Sequence, residues 1–483
     1  MLIRQTMRYL PAQVLAPAFQ LLSMVAWTYW LVPHEMGSFV LVTATQEFVG
    51  LLTLSWFSVY ALRYMPFERS GREREDYLHT ETAIVLLSLP ASLAAAAIAA
   101  LIFGSGTPTA GSIAIVALFF ASRGTNTHYS ERARAQSNIP AYTILQVGGP
   151  VFGFLIGLAF VAFYAPTADM LLFAYGIAQI GASLIAAPMI GVRLVPRRVH
   201  ARFLKAAIGY GGPVLVLSGL GWVAENNFRY IVEHMAGAAA FGLMAVGWGL
   251  GRRCASFGAM LVAAAAFPIA ARLLNEGRRA EAMAQLATNA ALLVGLLAPI
   301  VAGLMLVGGP ATDLLIAEPY RETTRAILGL SALAGALRFL HIHVTDQLFV
   351  LERRIAYAGI VDIVEIAATV ALTVAGLVWY GPVGGVIGNA VGSGLATLTS
   401  LALARRMAFR LPGPDLLKVA AATAVMAGAL ALLPSPTSVP ALVATIVTGM
   451  VVYGLAIAAA YAPQVRAIIA RRLAGRTSAA RAA

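Results

Sequence analysis

About fourteen apolar stretches of bilayer-spanning length run through this chain, and that feature leaves few folds open. A hydrocarbon core about 30 Å thick takes roughly 20 apolar residues of helix to cross. Inside it no water can satisfy backbone N–H and C=O groups, so helices that bond internally are the natural spanning element. The stretches fall near 9–32, 36–62, 81–104, 111–131, 140–164, 169–192, 207–233, 238–268, 283–308, 324–350, 356–380, 384–404, 417–434 and 440–462. Only 11% of the 483 residues are charged, against about 25% in a soluble protein. The prediction is an all-α polytopic membrane protein whose core is shared with lipid.

Charge then sets orientation. Twenty-seven of the 34 lysines and arginines fall at one set of helix ends, and only Arg321 and Arg325 at the other. The positive-inside rule puts both termini and the basic loops in the cytoplasm. Those loops hold Arg63, Arg69, Arg72 and Arg74; Arg132 and Arg134; Arg193, Arg197, Arg198, Arg202 and Lys205; and further small groups as far as the tail. A net charge of +13 spread this way forms no nucleic-acid patch, and anionic membrane lipids are the simpler partner. The single cysteine, Cys254, excludes an internal disulfide and a cysteine metal site. The first apolar run is too long for a signal-peptide core and is read as an uncleaved helix.

The sequence repeats itself. WLVPH at 30–34 is answered by YIVEH at 230–234, and YLP at 9–11 by YGGP at 210–213. YAP at 164–166 is answered by YGP at 380–382. Six helices separate each pair, which makes a parallel repeat. The expected organisation is an N-terminal lobe at 1–200, a second lobe at 201–408, two extra helices at 409–463 and a basic cytoplasmic tail at 464–483. No loop is long enough to form a domain, which weighs against a membrane enzyme.

The order of the motifs resembles the multidrug/oligosaccharidyl-lipid/polysaccharide exporter superfamily, and within it the Wzx-type polysaccharide flippases. Residues 31–41 read LVPHEMGSFVL, where that family has a turn of the LGPEEYGxYAL kind. Residues 237–246 read GAAAFGLMAV, 352–354 read ERR, and 380–388 read YGPVGGVIG. The resemblance spans nearly the whole chain. It implies two six-helix, MATE-like lobes around a central cavity, plus two C-terminal helices that could form a groove for a lipid tail. It also implies residence in a bacterial inner membrane. The drug-exporting branch usually has twelve helices and an acid in helix one; this chain has about fourteen, and no acid between Tyr9 and Val32. The lipid II branch typically has arginine in helix one, and here none follows Arg8.

Charges inside the spans carry the functional reading, because one arginine at a helix centre costs about 2.5–3.5 kcal/mol and is kept for a reason. The bases are Arg123, Arg229, Arg252, Arg253 and Arg338; the acids are Glu47, Glu225, Asp346, Asp362 and Glu365. Arg123, His128 and Glu131 recur with the same spacing as Arg338, His343 and Asp346, 215 residues later. A duplicated polar stripe of this kind suits a cavity wall, and a guanidinium matches pyrophosphate oxygens bidentately. The candidate substrate-binding set is therefore Arg123, Arg252, Arg253, Arg338, His128, His343 and Arg229. Arg252 and Arg253 point about 100° apart, so one lines the cavity while the other pairs with an acid. Arg229 follows Glu225 by four, an ion-pair spacing. Glu47 and Asp346 are the candidates for protonation or ion coupling, although Glu47 is equally readable as a partner of Arg123 or Arg252. Asp362 and Glu365 are read as pairing locally with Arg353 and Arg354, and His341 as packing or hydrogen bonding.

The expected function is movement of a polyprenyl-pyrophosphate-linked oligosaccharide to the periplasmic leaflet by alternating access, for O-antigen, capsule or exopolysaccharide synthesis. Polysaccharide polymerase and export machinery are candidate partners. No cofactor, metal or catalytic residue is expected, and a proton or sodium ion could couple through Glu47. A cation-coupled drug antiporter of the same fold is the alternative. A membrane glycan polymerase or ligase, with Glu318, Arg321 and Glu322 as its only loop candidates, is the third reading.

Overall fold

The computed structural model describes residues 2–64, 71–193, 195–196 and 199–482, with side chains described for 14–64, 71–193, 195–196, 199–262 and 268–463. Arg69, Arg197 and Arg198 lie outside the described residues, as do the side chains of Arg4, Arg8 and the arginines of the tail.

The secondary structure is helical throughout the described residues. The helices are α1 Leu2–Trp27, α2 Pro33–Tyr64, α3 Arg72–Phe103, α4 Ala110–Ala135, α5 Ile139–Phe163, α6 Ala168–Ile190, α7 201–236 and α8 238–275. They continue as α9 Arg279–Leu315, α10 Glu318–Leu351, α11 355–380, α12 382–405, α13 Gly413–Ala431 and α14 Val439–Ala482. All fourteen apolar stretches are thus helices of a multi-pass membrane protein. Among the described residues, ten helical segments are long and apolar enough to cross a membrane. Two of those ten are double helices, joined at Gly237 (φ 85°) and at Gly381 (φ 62°). An unbroken 51-residue helix would be about 75 Å long, far more than the bilayer. Positive φ is the conformation glycine adopts without penalty, so the chain turns at these two residues.

Local chemistry fixes the other ends. Pro33 opens α2 at a position where its missing N–H is not needed. Thr109 and Ser112 close a reciprocal capping box on α4. Glu35 accepts from the Ala168 N–H at 2.6 Å, placing a negative charge on the positive end of α6. From the same turn, His34 bonds the Ser105 carbonyl at 2.9 Å and Ser38 donates to the Phe103 carbonyl. The motif at 31–41 is therefore a joint that ties the start of α2 to the end of α3 and the start of α6.

The chain forms two compact units, Met1–Val246 and Gly247–Ala483. In the first, Phe57, Tyr77 and Phe203 pack together, and Val42, Phe119, Phe120 and Leu172 form a second core. Helix α7 belongs to this unit; a Cβ on Gly211 would fall 2.2 Å from the Trp56 carbonyl oxygen. In the second unit, Ala255, Leu286, Leu348, Phe349 and Val361 form the core. The six-helix repeat is an internal likeness of sequence, separate from this division into compact units, and it stands as a proposal.

Two helices carry a π turn, Leu51–Ser55 in α2 and His341–Thr345 in α10. Each inserts an extra residue and rotates the remainder of its helix, and such turns concentrate at functional sites.

Candidate functional site

In the first unit a polar pocket of about 390 Å³ opens between α2 and α4. Its wall includes Glu47, Ser55, Ser58, Arg123, Thr127 and His128. Arg123, Thr127 and Glu131 are four apart, so α4 presents one polar stripe. On the α2 side Ser55, in the π turn, and Ser58, just after it, line the same pocket as Glu47. Arg123 donates from Nη2 to Glu47 Oε1 at 3.1 Å, with the two side chains 30% and 42% exposed. Arg123 therefore has a partner but remains reachable from the pocket.

Behind the pocket the polarity continues into the helix packing. His128 bonds Ser58 Oγ through Nδ1 at 2.7 Å and Glu81 Oε1 through Nε2 at 3.0 Å. Arg132 donates to Glu81 Oε2 at 2.5 Å and to the carbonyls of Ile190 and Gly191 at 2.6 and 2.9 Å. Those carbonyls are the unsatisfied end of α6, so one arginine neutralises Glu81 and closes a helix. Arg132 is 1% exposed, which corrects its reading as a loop residue. Glu81 and Ser58 were missed altogether. The reason is that α3 begins at Arg72, well before its apolar run, so Glu81 looked like a span end when it is a mid-helix residue. At the true start of α3, Glu73 and Glu75 pair with Arg202 and Arg193. The Arg193 guanidinium holds the Glu75 carboxyl below its ordinary range.

The second unit repeats the chemistry with different residues. Arg338 donates to Glu365, and His341 bonds the same carboxylate through Nε2 at 3.3 Å. Ser393 donates to the other Glu365 oxygen at 2.9 Å. His341 Nδ1 lies 3.6 Å from Asp346. Glu365 is therefore the partner of Arg338 and His341, which corrects its grouping with Arg353 and Arg354. From Arg354 it lies three turns along α11, about 16 Å away. Asp362, one turn earlier and also buried, shares this electrostatic neighbourhood.

The remaining candidates scatter. Arg338 is 3% exposed and committed to its ion pair, unlike Arg123, its match in the sequence repeat. His343 stacks on Phe339, half-buried. Arg252 is buried, its guanidinium 4.9 Å from the Trp248 ring centre and its Cα against Gly335, while Arg253 is the more accessible of the two. Arg229 is half-buried in α7, and its Nε has no hydrogen-bond partner. The next residue, Tyr230, bonds Thr45 of α2 at 3.0 Å.

A second cavity system belongs wholly to the second unit. Two adjoining cavities of about 620 and 530 Å³, walled by α8, α9, α13 and α14, share Leu296 and Tyr453, and the Tyr453 hydroxyl donates to the Gly295 carbonyl at 2.6 Å where they meet; together they make up a groove in two parts. One end is apolar, with Ile300, Val307, Ile446 and Met450. At the other, Tyr461 donates to Asp415 at 2.9 Å, and Lys418 lies 3.4 Å from the same carboxylate oxygen.

No protein-family model matches the sequence, and no curated protein matches it. Solved structures do. A lipid II flippase, MurJ, in an inward closed conformation superposes with a TM-score of 0.66 at 13% identity, over 95% of this chain and 99% of that one. An inward-facing MATE family multidrug resistance transporter of the MOP superfamily gives 0.60 at 15% identity, over 81% and 94%. A MOP superfamily transporter from Pyrococcus furiosus gives 0.57 at 14%, over 84% and 94%. At such identities the likeness is one of fold, and the expected MATE-like architecture is the one found.

Proposed function

We propose that the protein is a flippase for a lipid-linked anionic oligosaccharide, carrying a polyprenyl-pyrophosphate-linked glycan across the bacterial inner membrane by alternating access. The observation that carries this reading is the groove of α8, α9, α13 and α14. Its two adjoining cavities are lined mostly by apolar side chains, as a polyprenyl chain requires, and α13 and α14 supply one side of them. The lipid II flippase structure covers 95% of the chain and the multidrug transporter 81%, a shortfall about the size of those two helices.

The polar part of the substrate needs a different surface. The pocket beside Glu47 and Arg123 offers a guanidinium held by a partially exposed carboxylate. Such a pair in wet surroundings contributes about 0–1 kcal/mol, so a pyrophosphate can displace Glu47 at small cost. Arg123 is then the first residue of the candidate set to contact the anion. Buried Arg338 and Arg252 act through packing, and Arg253 is the accessible candidate in the second unit. Orientation with both termini cytoplasmic follows from the arginine distribution. Outward movement of the anion toward the positive side gains about 2.3 kcal/mol per charge per 100 mV, enough to drive flipping without ATP.

The test is flipping of a fluorescent undecaprenyl-pyrophosphate-linked oligosaccharide in proteoliposomes, with and without an imposed potential. Movement accelerated by a positive trans potential supports the reading. Absence of movement, alongside efflux of organic cations, would assign the drug-exporter reading.

A further inference from the structure

The pocket of the first unit ends on a buried histidine whose two nitrogens face partners of different kinds. On Nε2 stands Glu81, already neutralised by Arg132. On Nδ1 stands the Ser58 hydroxyl at 2.7 Å, and Ser58 Oγ is also 3.0 Å from the Leu54 carbonyl. A hydroxyl can act both ways. Toward a neutral imidazole it donates its hydrogen to Nδ1. Toward an imidazolium it accepts from Nδ1–H and turns its own hydrogen to Leu54 O. Every donor and acceptor is satisfied in either state, without movement of a heavy atom.

The second unit shows what a fixed charge state looks like. There His341 lies between Glu365 on one nitrogen and Asp346 on the other, with Asp362 close by and Arg338 also on Glu365. Both nitrogens of His341 face a carboxylate, whereas His128 has a carboxylate on one nitrogen and a hydroxyl on the other. The groups facing it are Ser58 and the Phe57 ring on α2, Glu81 on α3, and Tyr129 and Arg132 on α4. Beyond Ser58 the pocket wall holds two carboxylates through which a proton can arrive, Glu47 beside Arg123 and Glu131 beside Arg134. Leu54 belongs to the π turn of α2, so the hydroxyl's choice of partner reaches the one irregular segment of the helix that also carries Glu47.

We propose that His128 is a proton-binding site of the transport cycle, loaded from the first unit's pocket and read out through Ser58 at the π turn of α2. This rests on the transport reading above, and the experiment separates the two. In nanodiscs, the seven histidines labelled with ¹⁵N are followed by NMR over about pH 5 to 8, the range in which imidazole changes charge. The resonance lost in His128→Gln is expected to pass from cationic to neutral, while that lost in His341→Gln stays cationic. In proteoliposomes, a pH gradient of one unit can bias accumulation by at most about tenfold per coupled proton. Wild type should respond to that gradient, and whatever movement His128→Gln retains should no longer respond to pH. A His128 signal constant across the range, or a pH response unchanged in His128→Gln, overturns the proposal while leaving the flippase standing. If wild type moves no substrate under any gradient, the transport reading fails and the titration alone decides whether His128 binds the proton.

Discussion

Arg132 and Glu81 form an ion pair of 2.5 Å in which both side chains are 1% exposed. Arg338 and Glu365 form the counterpart in the second unit, at 4% and 0%. In each unit the carboxylate also holds a histidine from the arginine's own helix. Charges this deep are retained only as sets, because each member removes the desolvation penalty of the others.

Arg132→Ala removes the fixed positive charge from buried Glu81, leaving only His128 beside it, and frees the α6 carbonyls. The expected cost is about 3–5 kcal/mol. The double variant Arg132→Met with Glu81→Gln removes both charges and should recover much of it. Thermal unfolding of the detergent-solubilised protein reads the difference; a double variant no more stable than the single one would refute the pairing account.

Arg123→Ala and Arg338→Ala should part company, although the sequence repeat matches the two residues. The Arg123 pair with Glu47 is exposed, so its loss costs about 0–1 kcal/mol and leaves the fold intact. Flipping is expected to fall. Arg338→Ala removes the fixed positive charge from buried Glu365, leaving it His341 and Ser393, and should lower the unfolding temperature sharply. Parallel thermal-shift and flipping measurements distinguish an anion contact from a structural charge; normal flipping in Arg123→Ala would remove it from the substrate site.

Gly37 and Gly242 lie in two of the motifs on which the family resemblance rests, and in the structure they touch. A Cβ on Gly242 would fall 1.7 Å from the Pro33 carbonyl oxygen, and one on Gly37 2.1 Å from that of Ala238. Gly242→Ala should therefore cost at least about 1–3 kcal/mol through overpacking. Gly219→Ala, with no atom within 4 Å, should be neutral or slightly stabilising through helix propensity. Yield and thermal stability of the two variants provide the comparison.

Part of the fold was readable in the sequence. Helix number and approximate ends came from hydropathy alone, because the bilayer admits few alternatives. Glu47 was readable as a partner of Arg123. The phase of α10 was not readable. His341 lies three residues after Arg338, shares its face and is the buried partner of Glu365, while the π turn that begins at His341 changes the phase of His343 and Asp346, which a regular period places on the functional face. Glu81 and Arg132 were hidden for another reason: hydropathy windows treat a charged residue as a boundary, whereas here opposite charges on α3 and α4 continue the helices inward by cancelling each other.

The groove offers the sharpest separation of substrates. Gly303 lines its apolar part and has no atom within 4 Å of where a Cβ would stand. A tryptophan there can occupy the groove without displacing backbone, so Gly303→Trp should fold as wild type does. If the groove holds a polyprenyl chain, this variant should flip a full-length undecaprenyl-linked glycan several-fold more slowly. A glycan pyrophosphate on a chain of two or three isoprene units should still move at the wild-type rate, because its short tail never reaches Gly303. Charge, pyrophosphate and sugar are the same in both substrates, so a difference confined to the long chain isolates the groove. Equal slowing of both would mean that the tryptophan acts on the conformational cycle, and no slowing of either would place the lipid tail elsewhere.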